Sequence, residues 1–381
     1  MSSAARHTEA KLRGLARRFR IAGDIDRIAP YGSGHINDTY CVAASQAGAP
    51  VRYILQRINT AIFKDPAALM DNVGRVTTHL AARLARQGVA DASRRALTLV
   101  PTAEGAAWLR DDEGGAWRVY LFIERARTFD QIETPAQAET AARAFGEFQR
   151  QLADLPAPRL ADTIPNFHHT RSRFDTLLAA IAADAHNRAA SVRAEIDFAM
   201  AREPVVDVLL RAQASGAIPE RVTHNDTKLN NVMLDDAIGE GICVIDLDTV
   251  MPGLVLYDFG DMCRTATRPT PEDERDLSKV AMMPEMFGAL ARGYLASAGG
   301  FLVPAEVDHL VFSARLITFE IGIRFLADYL QGDVYFKTHR PGHNADRCRV
   351  QFTMVESFER HEESMNRWIA DLRARGPEAP A

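Results

Sequence analysis

The pattern of the chain changes once, near residues 124–134, and that change constrains the fold more than any other feature. Residues 24 to about 124 read as short apolar or β-branched runs, at 25–29, 39–43, 52–58, 97–101 and 118–123. Turn residues such as Gly32, Gly34, Gly48 and Gly114-Gly115 separate the runs. One helix interrupts them, opening at Asp65-Pro66 and continuing through Leu69, Val73, Val76 and Leu80. From Thr134-Pro135 onward the apolar residues recur at helical spacing, first as Phe145, Phe148, Leu152 and Leu155. Further helices are expected near 171–183, 192–213, 305–331 and 345–373, and only 222–250 reads as loop, strand, turn, strand. The expected architecture is α+β: a helical extension over 1–23, a small antiparallel-sheet lobe over 24–125 and a larger helical lobe over 126–375.

Composition allows this reading. The 381 residues are 47% hydrophobic and 25% charged, sufficient for two buried cores. A formal net charge of −5 speaks against a nucleic-acid-coating protein, yet a local pocket can still hold an anionic small molecule. Cys41, Cys243, Cys263 and Cys348 are too far apart for a disulfide framework or a zinc site, and read as reduced thiols. Uncharged stretches fall well short of the ~20 apolar residues of a spanning helix. The N-terminus is basic and Ala-rich without an apolar core, unlike a secretory signal. The expectation is a cytoplasmic protein with no nucleic-acid or membrane partner, present as a monomer or weak homodimer.

The densest chemistry lies in His224-Asn225-Asp226-Thr227-Lys228-Leu229-Asn230-Asn231, followed by an apolar strand. Twenty residues after Asp226, a second acid, Asp246, ends the apolar run Val244-Ile245. Phosphoryl transfer from ATP needs such a set: a carboxylate beside the attacking hydroxyl, plus an amide oxygen and a second carboxylate for Mg²⁺. An Asp and Asn at this spacing alone recur by chance about once in a chain this long. Read blandly, Asp226 is a loop cap and Asn231 a turn residue. The preceding His and the second acid at a strand end make the chemical reading more specific.

These motifs resemble the catalytic loop of the aminoglycoside-phosphotransferase-like kinases, relatives of the protein kinases. More narrowly, together with Ile245-Asp246-Leu247-Asp248-Thr249-Val250-Met251-Pro252-Gly253 and Tyr257-Asp258-Phe259-Gly260-Asp261, they resemble the N-acetylhexosamine 1-kinases. Asn225 and Leu247 depart from the Gly and the aromatic residue usual in the broad family. The resemblance implies a two-lobed protein-kinase-like fold. Within it Asp226 would be the catalytic base, Asn231 and Asp246 the Mg²⁺ ligands and His224 a structural brace. Asp248 and Asp258 stay open between supporting acids and capping residues.

A second motif, Tyr31-Gly32-Ser33-Gly34-His35-Ile36-Asn37-Asp38, lies between two expected strands. Two glycines there make a turn, and such a turn can bring backbone N–H groups against phosphates. The resemblance places Gly32, Ser33 and Gly34 on the nucleotide phosphates and His35, Asn37 and Asp38 near the substrate. It also places the adenine under a hinge that includes Phe122 and Glu124.

On the third strand, kinases usually carry a Lys paired with a Glu on the next helix. Here Gln56 holds that position, and Arg57 points to the opposite face of the strand. A neutral contact from Gln56 to the nucleotide, braced by Asn72, is the expected substitute.

Glu320, Arg324 and Asp328 recur every four residues along an otherwise apolar helix. They read either as a solvated stripe or as a cavity lining. By resemblance Arg324, with Asp328, would meet a sugar. The expected activity is transfer of the γ-phosphate of ATP, with Mg²⁺, to the anomeric hydroxyl of an N-acetylhexosamine or related hexose. Two alternatives stand beside it: a kinase of an aminoglycoside, amino alcohol or other small hydroxyl compound, and a nucleotide-binding module without turnover.

Overall fold

Alternation in the early strands dictates which side of the sheet is buried. Tyr40, Val42 and Ala44, then Tyr53 and Leu55, take the inward positions of two successive strands, with polar or half-exposed residues between them. In the computed structural model, which describes residues 7–32 and 36–375, the elements begin with α1 (Glu9–Ala16), β1 (Asp24–Pro30), β2 (Asp38–Gln46) and β3 (Ala49–Ile58). They continue with α2 (Pro66–Arg86), the single turn α3 (Ala92–Arg95), β4 (Leu109–Arg110), β5 (Ala116–Leu121) and β6 (Ala126–Arg127). Next come α4 (Pro135–Leu152), α5 (Thr170–Ala183), α6 (Arg193–Ala201), α7 (Val208–Ala214), β7 (Arg221–Thr223), β8 (Val232–Asp235), β9 (Gly241–Val244) and β10 (Met251–Gly253). The chain ends with α8 (Val255–Ala266), α9 (Pro284–Ala298), α10 (Pro304–Asp308), α11 (Leu310–Leu330) and α12 (His343–Arg375).

The chain divides into two compact units. The first takes in Met1–Arg127, Asp154–Ile164 and Met233–Met251; the second takes in Thr128–Ala153, Pro165–Val232 and Pro252–Ala381. In the first, five antiparallel strands are ordered β1-β2-β3-β5-β4. Its core joins Tyr40, Val42, Leu55, Trp117 and Val119 of the sheet to Leu12, Leu15 and Ala16 of α1. The expected strand at 97–101 is not the fifth strand. Leu99 makes only an isolated bridge to Tyr120, and Pro101 has no N–H to extend the ladder, so Leu109–Arg110 takes the edge. Segment 233–251 joins this unit because β6 pairs with β8, and Ile123, Met233, Ile242 and Cys243 share a small core.

Caps appear where the sequence placed them. The Asp65 side chain accepts the N–H groups of Ala67 and Ala68 at 3.1 and 3.0 Å, with Pro66 in the first helical turn. Thr134 and Gln137 form a reciprocal capping box on α4. The long helix expected over 192–213 is instead α6, a tight turn at Glu203–Val205, and α7, because Pro204 cannot donate within a continuous helix. No helix among the described residues is long and apolar enough to cross a membrane.

Helices of the second unit pack so closely that two glycines are required. A Cβ on Gly293 would lie 2.0 Å from the Glu139 carbonyl oxygen, and one on Gly260 would lie 2.5 Å from that of Ser313. Both obstacles are backbone atoms, which cannot step aside. Gly293→Ala should therefore cost about 1–3 kcal/mol, through overpacking of α9 on α4. On the exposed face of α1, Gly14 has nothing within 4 Å of its would-be Cβ, so Gly14→Ala should stabilise by up to about 1 kcal/mol. Urea midpoints of the two variants check the contrast.

Candidate active site

Within the second unit, β7 runs into the loop His224–Lys228 and then a tight turn at Leu229–Asn231 before β8 begins. The loop reverses at Asn225, whose φ of 65° is left-handed. Asn tolerates that conformation better than most residues, which accounts for its standing where the broad family has Gly. The loop is held from beneath by Asp258 in the first turn of α8. Its carboxylate accepts the N–H groups of His224 at 2.9 Å and Asn225 at 2.6 Å, and the Gln149 side-chain amide at 2.6 Å. Tyr294 in turn donates to the other end of Gln149 at 2.6 Å. Asp258 is fully buried, and burial pushes its carboxyl up, against His224 and these hydrogen bonds.

A second brace comes from Glu320 on α11. Its carboxylate bonds the His168 ring at 2.8 Å and accepts the Thr170 hydroxyl at 2.6 Å, and the other His168 nitrogen meets the Asn225 carbonyl at 3.1 Å. The His224 ring is wedged between the edges of Phe145 and Phe148, and its Nδ1 accepts the Asp226 N–H at 3.3 Å.

His224, Asn225, Thr227 and Asn231 around it are buried, but the Asp226 side chain keeps 24% of its surface exposed. Lys228 Nζ stands 2.7 Å from one carboxylate oxygen, and Asn231 Nδ2 donates to the Asp226 carbonyl at 2.8 Å and to the other carboxylate oxygen at 3.3 Å. Burial works to raise the Asp226 carboxyl, but Lys228 first, then His224 and Arg264, hold it below the ordinary carboxylate value. It is thus an ionised carboxylate with an open approach. The Asn231 amide nitrogen is committed to this loop, while Oδ1 makes no hydrogen bond among the described residues and is the end suited to a cation.

Asp246 belongs to the first unit, two residues beyond β9, with φ 58° and ψ 59°. A tight turn at Leu247–Thr249 follows, buried throughout. An amide oxygen and a carboxylate are hard donors that suit Mg²⁺, which keeps waters and phosphates for its remaining positions. Among the described residues no three His, Cys, Asp or Glu side chains form a metal cluster.

Ser33, Gly34 and His35 lie outside the described residues, and Gly32 has the left-handed φ of 80° that a turn there requires. Phe122 follows β5, meets Tyr31 edge-on at 5.4 Å and carries the Arg52 guanidinium 3.9 Å from its ring centre, while Glu124 pairs with Arg52. Arg324 is half-buried, 5.4–5.9 Å from the ring centres of Phe167, Tyr335 and Phe336, and makes no ion pair at salt-bridge distance among the described residues.

Three residues have other tasks than those expected. Asp328 is buried, and its two oxygens accept the N–H groups of Val334, Tyr335 and Phe336 and the Asn344 amide, so it caps a loop. Gln56 gives its carbonyl to Arg118 and its amide N–H to Thr39, because β5 places Arg118 directly opposite it. Asn72, the expected brace for Gln56, instead bonds the backbone of Ala161 and Val250. Asn37 donates to Asp248 at 2.7 Å and accepts the Asn59 N–H at 2.9 Å, and Asp38 stands 3.7 Å from Arg57. Sequence reading overlooked His168 and Arg118. The latter had one signal, a lone charge within Trp117-Arg118-Val119-Tyr120.

Asp258→Ala would leave two buried N–H donors without acceptors. Amide exchange at His224 and Asn225 should then accelerate by about tenfold or more, since each lost bond to a charged group is worth roughly 1.5–3 kcal/mol. Hydrogen-exchange mass spectrometry over this loop measures it.

The sequence model of the phosphotransferase enzyme family, APH, matches residues 27–301. An aminoglycoside phosphotransferase from Alicyclobacillus acidocaldarius has a similar fold, with a TM-score of 0.57 and 12% identity over 98% of this chain and 97% of that one. A microcompartment-associated aminopropanol kinase is similar at a TM-score of 0.56 and 15% identity, over 94% and 98% of the two chains. The small antiparallel sheet and the helical unit are those of the protein-kinase-like fold. The chain belongs to the phosphotransferase enzyme family, as an ATP-dependent phosphotransferase acting on hydroxyl groups of small molecules.

Proposed function

We propose that Asp226 is the catalytic base of this phosphotransferase, and the observation that carries the reading is its ionised, partly open carboxylate on a doubly braced loop. The acceptor hydroxyl donates its hydrogen bond to Asp226, which orients the oxygen and takes its proton. A new bond forms from that oxygen to the γ-phosphorus as the bridging oxygen–phosphorus bond breaks, and ADP leaves with the electron pair. Lys228 keeps Asp226 ionised before the transfer and offsets the nearby phosphate charge. Asn231 Oδ1 and the Asp246 carboxylate would hold Mg²⁺, which neutralises charge on the phosphates when bound. Gly32, Ser33 and Gly34 are assigned to the phosphates, Phe122 and Glu124 to the adenine, and His35, Asn37 and Asp38 to the substrate end of that turn.

Two acceptor classes have support. The named neighbours act on an aminoglycoside and on aminopropanol, which favours an amine-bearing hydroxyl compound. One feature of the helical unit favours the N-acetylhexosamine class instead. On the stripe of α11, Glu320 and Asp328 are consumed internally, and the side chain left half-exposed is the cation Arg324. A guanidinium suits the hydroxyl oxygens of a neutral sugar and repels a polycation.

Asp226→Asn should lower turnover by about 10²–10⁴-fold with Mg-ATP binding retained, checked by steady-state kinetics and calorimetry. Near-normal turnover would overturn the assignment. A panel of free hexoses, N-acetylhexosamines, amino alcohols and aminoglycosides with Mg-ATP, read by phosphorus NMR, separates the acceptor classes. An anomeric phosphate is the expected signal for the sugar class, and an ordinary phosphomonoester of an amine-bearing compound for the other. Tight Mg-ATP binding with no product from any acceptor would favour a binding module.

A further inference from the structure

The first unit buries an ion pair that the chemistry proposed above does not use. Arg118 of β5 is 1% exposed, and its Nη1 stands 2.6 Å from Asp248 Oδ1, on a residue 2% exposed. The same guanidinium donates to Gln56 Oε1 through Nε at 3.0 Å and Nη2 at 2.6 Å. Burial disfavours its charge, yet Asp248, then Tyr120 and Asp246, raise its pKa above the ordinary value, so it stays charged. Asp248 is tied further: Oδ2 accepts Asn37 at 2.7 Å, and its carbonyl accepts the Thr163 hydroxyl at 2.8 Å. Asp248 sits two residues beyond Asp246, within the tight turn that Asp246 opens in a left-handed conformation.

A buried pair of this kind gives little net stability, because desolvation of both ions offsets their attraction. Its value lies in geometry. The third strand has lost the customary Lys, and the position opposite its replacement, Gln56, holds the buried cation. That cation meets the turn carrying Asp246 and, through Asp248, Asn37 just before β2.

We propose that Arg118 is a positioning residue for Mg-nucleotide: standing in for the missing Lys from the neighbouring strand, it holds the Asp246 turn in place through Asp248 and does not touch phosphate. This rests on Asp246 being a metal ligand of an ATP-dependent enzyme. Loss of such supporting contacts typically weakens metal affinity by about 10–100-fold.

The test is calorimetric titration of the full-length protein with ADP over a range of Mg²⁺ concentrations, which needs no acceptor. Arg118→Met combined with Asp248→Asn removes both charges without stranding one. It should raise the Mg²⁺ required for half-maximal ADP binding by about tenfold or more, with metal-free ADP affinity unchanged. Arg118→Lys keeps the charge but loses the fork on Gln56, and should give a smaller rise. If the double variant lacks a cooperative thermal transition, Arg118→Lys alone decides. A folded variant with the wild-type Mg²⁺ requirement overturns the inference while leaving the kinase reading intact. Wild-type protein that fails to bind ADP at any Mg²⁺ concentration overturns both.

Discussion

One buried carboxylate organises the helical unit. Asp258 sits where α8 begins and accepts two successive backbone N–H groups from the loop carrying Asp226, so the loop cannot relax without stranding buried donors. Gln149 links the same carboxylate to α4, and Tyr294 extends the link to α9. Hydrogen bonds to a charged acceptor are among the strongest neutral backbone groups can make, and each is stronger in a dry interior. Close approach of these helices depends on glycines such as Gly260 and Gly293, so packing and polar network constrain one another.

Asp226, the proposed base, shows what this rigidity achieves. A base must be ionised, accessible and fixed at once, and burial opposes the first two. Here the supports are buried while the carboxylate keeps an opening, and Lys228 compensates the electrostatic cost. Glu320 works at a distance in the same sense, acting through His168 on the carbonyl of Asn225. An acidic protein can therefore meet polyanionic ATP by local charge, with the proposed shares falling to Lys228 and a bound divalent cation, and the overall balance of −5 is immaterial.

Local chemistry was legible where the signal depends on neighbours in sequence. The caps at Asp65 and Thr134, the alternation of β2 and β3, and the strand–turn–strand at 222–250 all follow from short-range rules. The spacing from His224 to Asn231 was readable for the same reason, because one loop holds the whole set. Gln56 was recognised as a departure, but its partner could not be read. That partner sits on β5, 62 residues on, and the register between the two strands is a tertiary fact. Asp328 and Glu320 looked like a lining of α11, since periodicity tells which residues share a face but not what covers it.

By itself, then, the sequence determined the class of fold, the loop that carries the proposed base and the residue types available for a metal. Those depend on local propensity and on chemistry that needs particular side chains at short spacing. Tertiary structure alone decided which polar groups are used up in holding the loops and which remain for a ligand. Asp258, Glu320, Asp328 and Gln56 are committed to internal partners, whereas Asp226 and Arg324 keep exposed surface. The reason is physical: a buried donor or acceptor must find a partner wherever the chain brings one, and only the folded backbone says where that is.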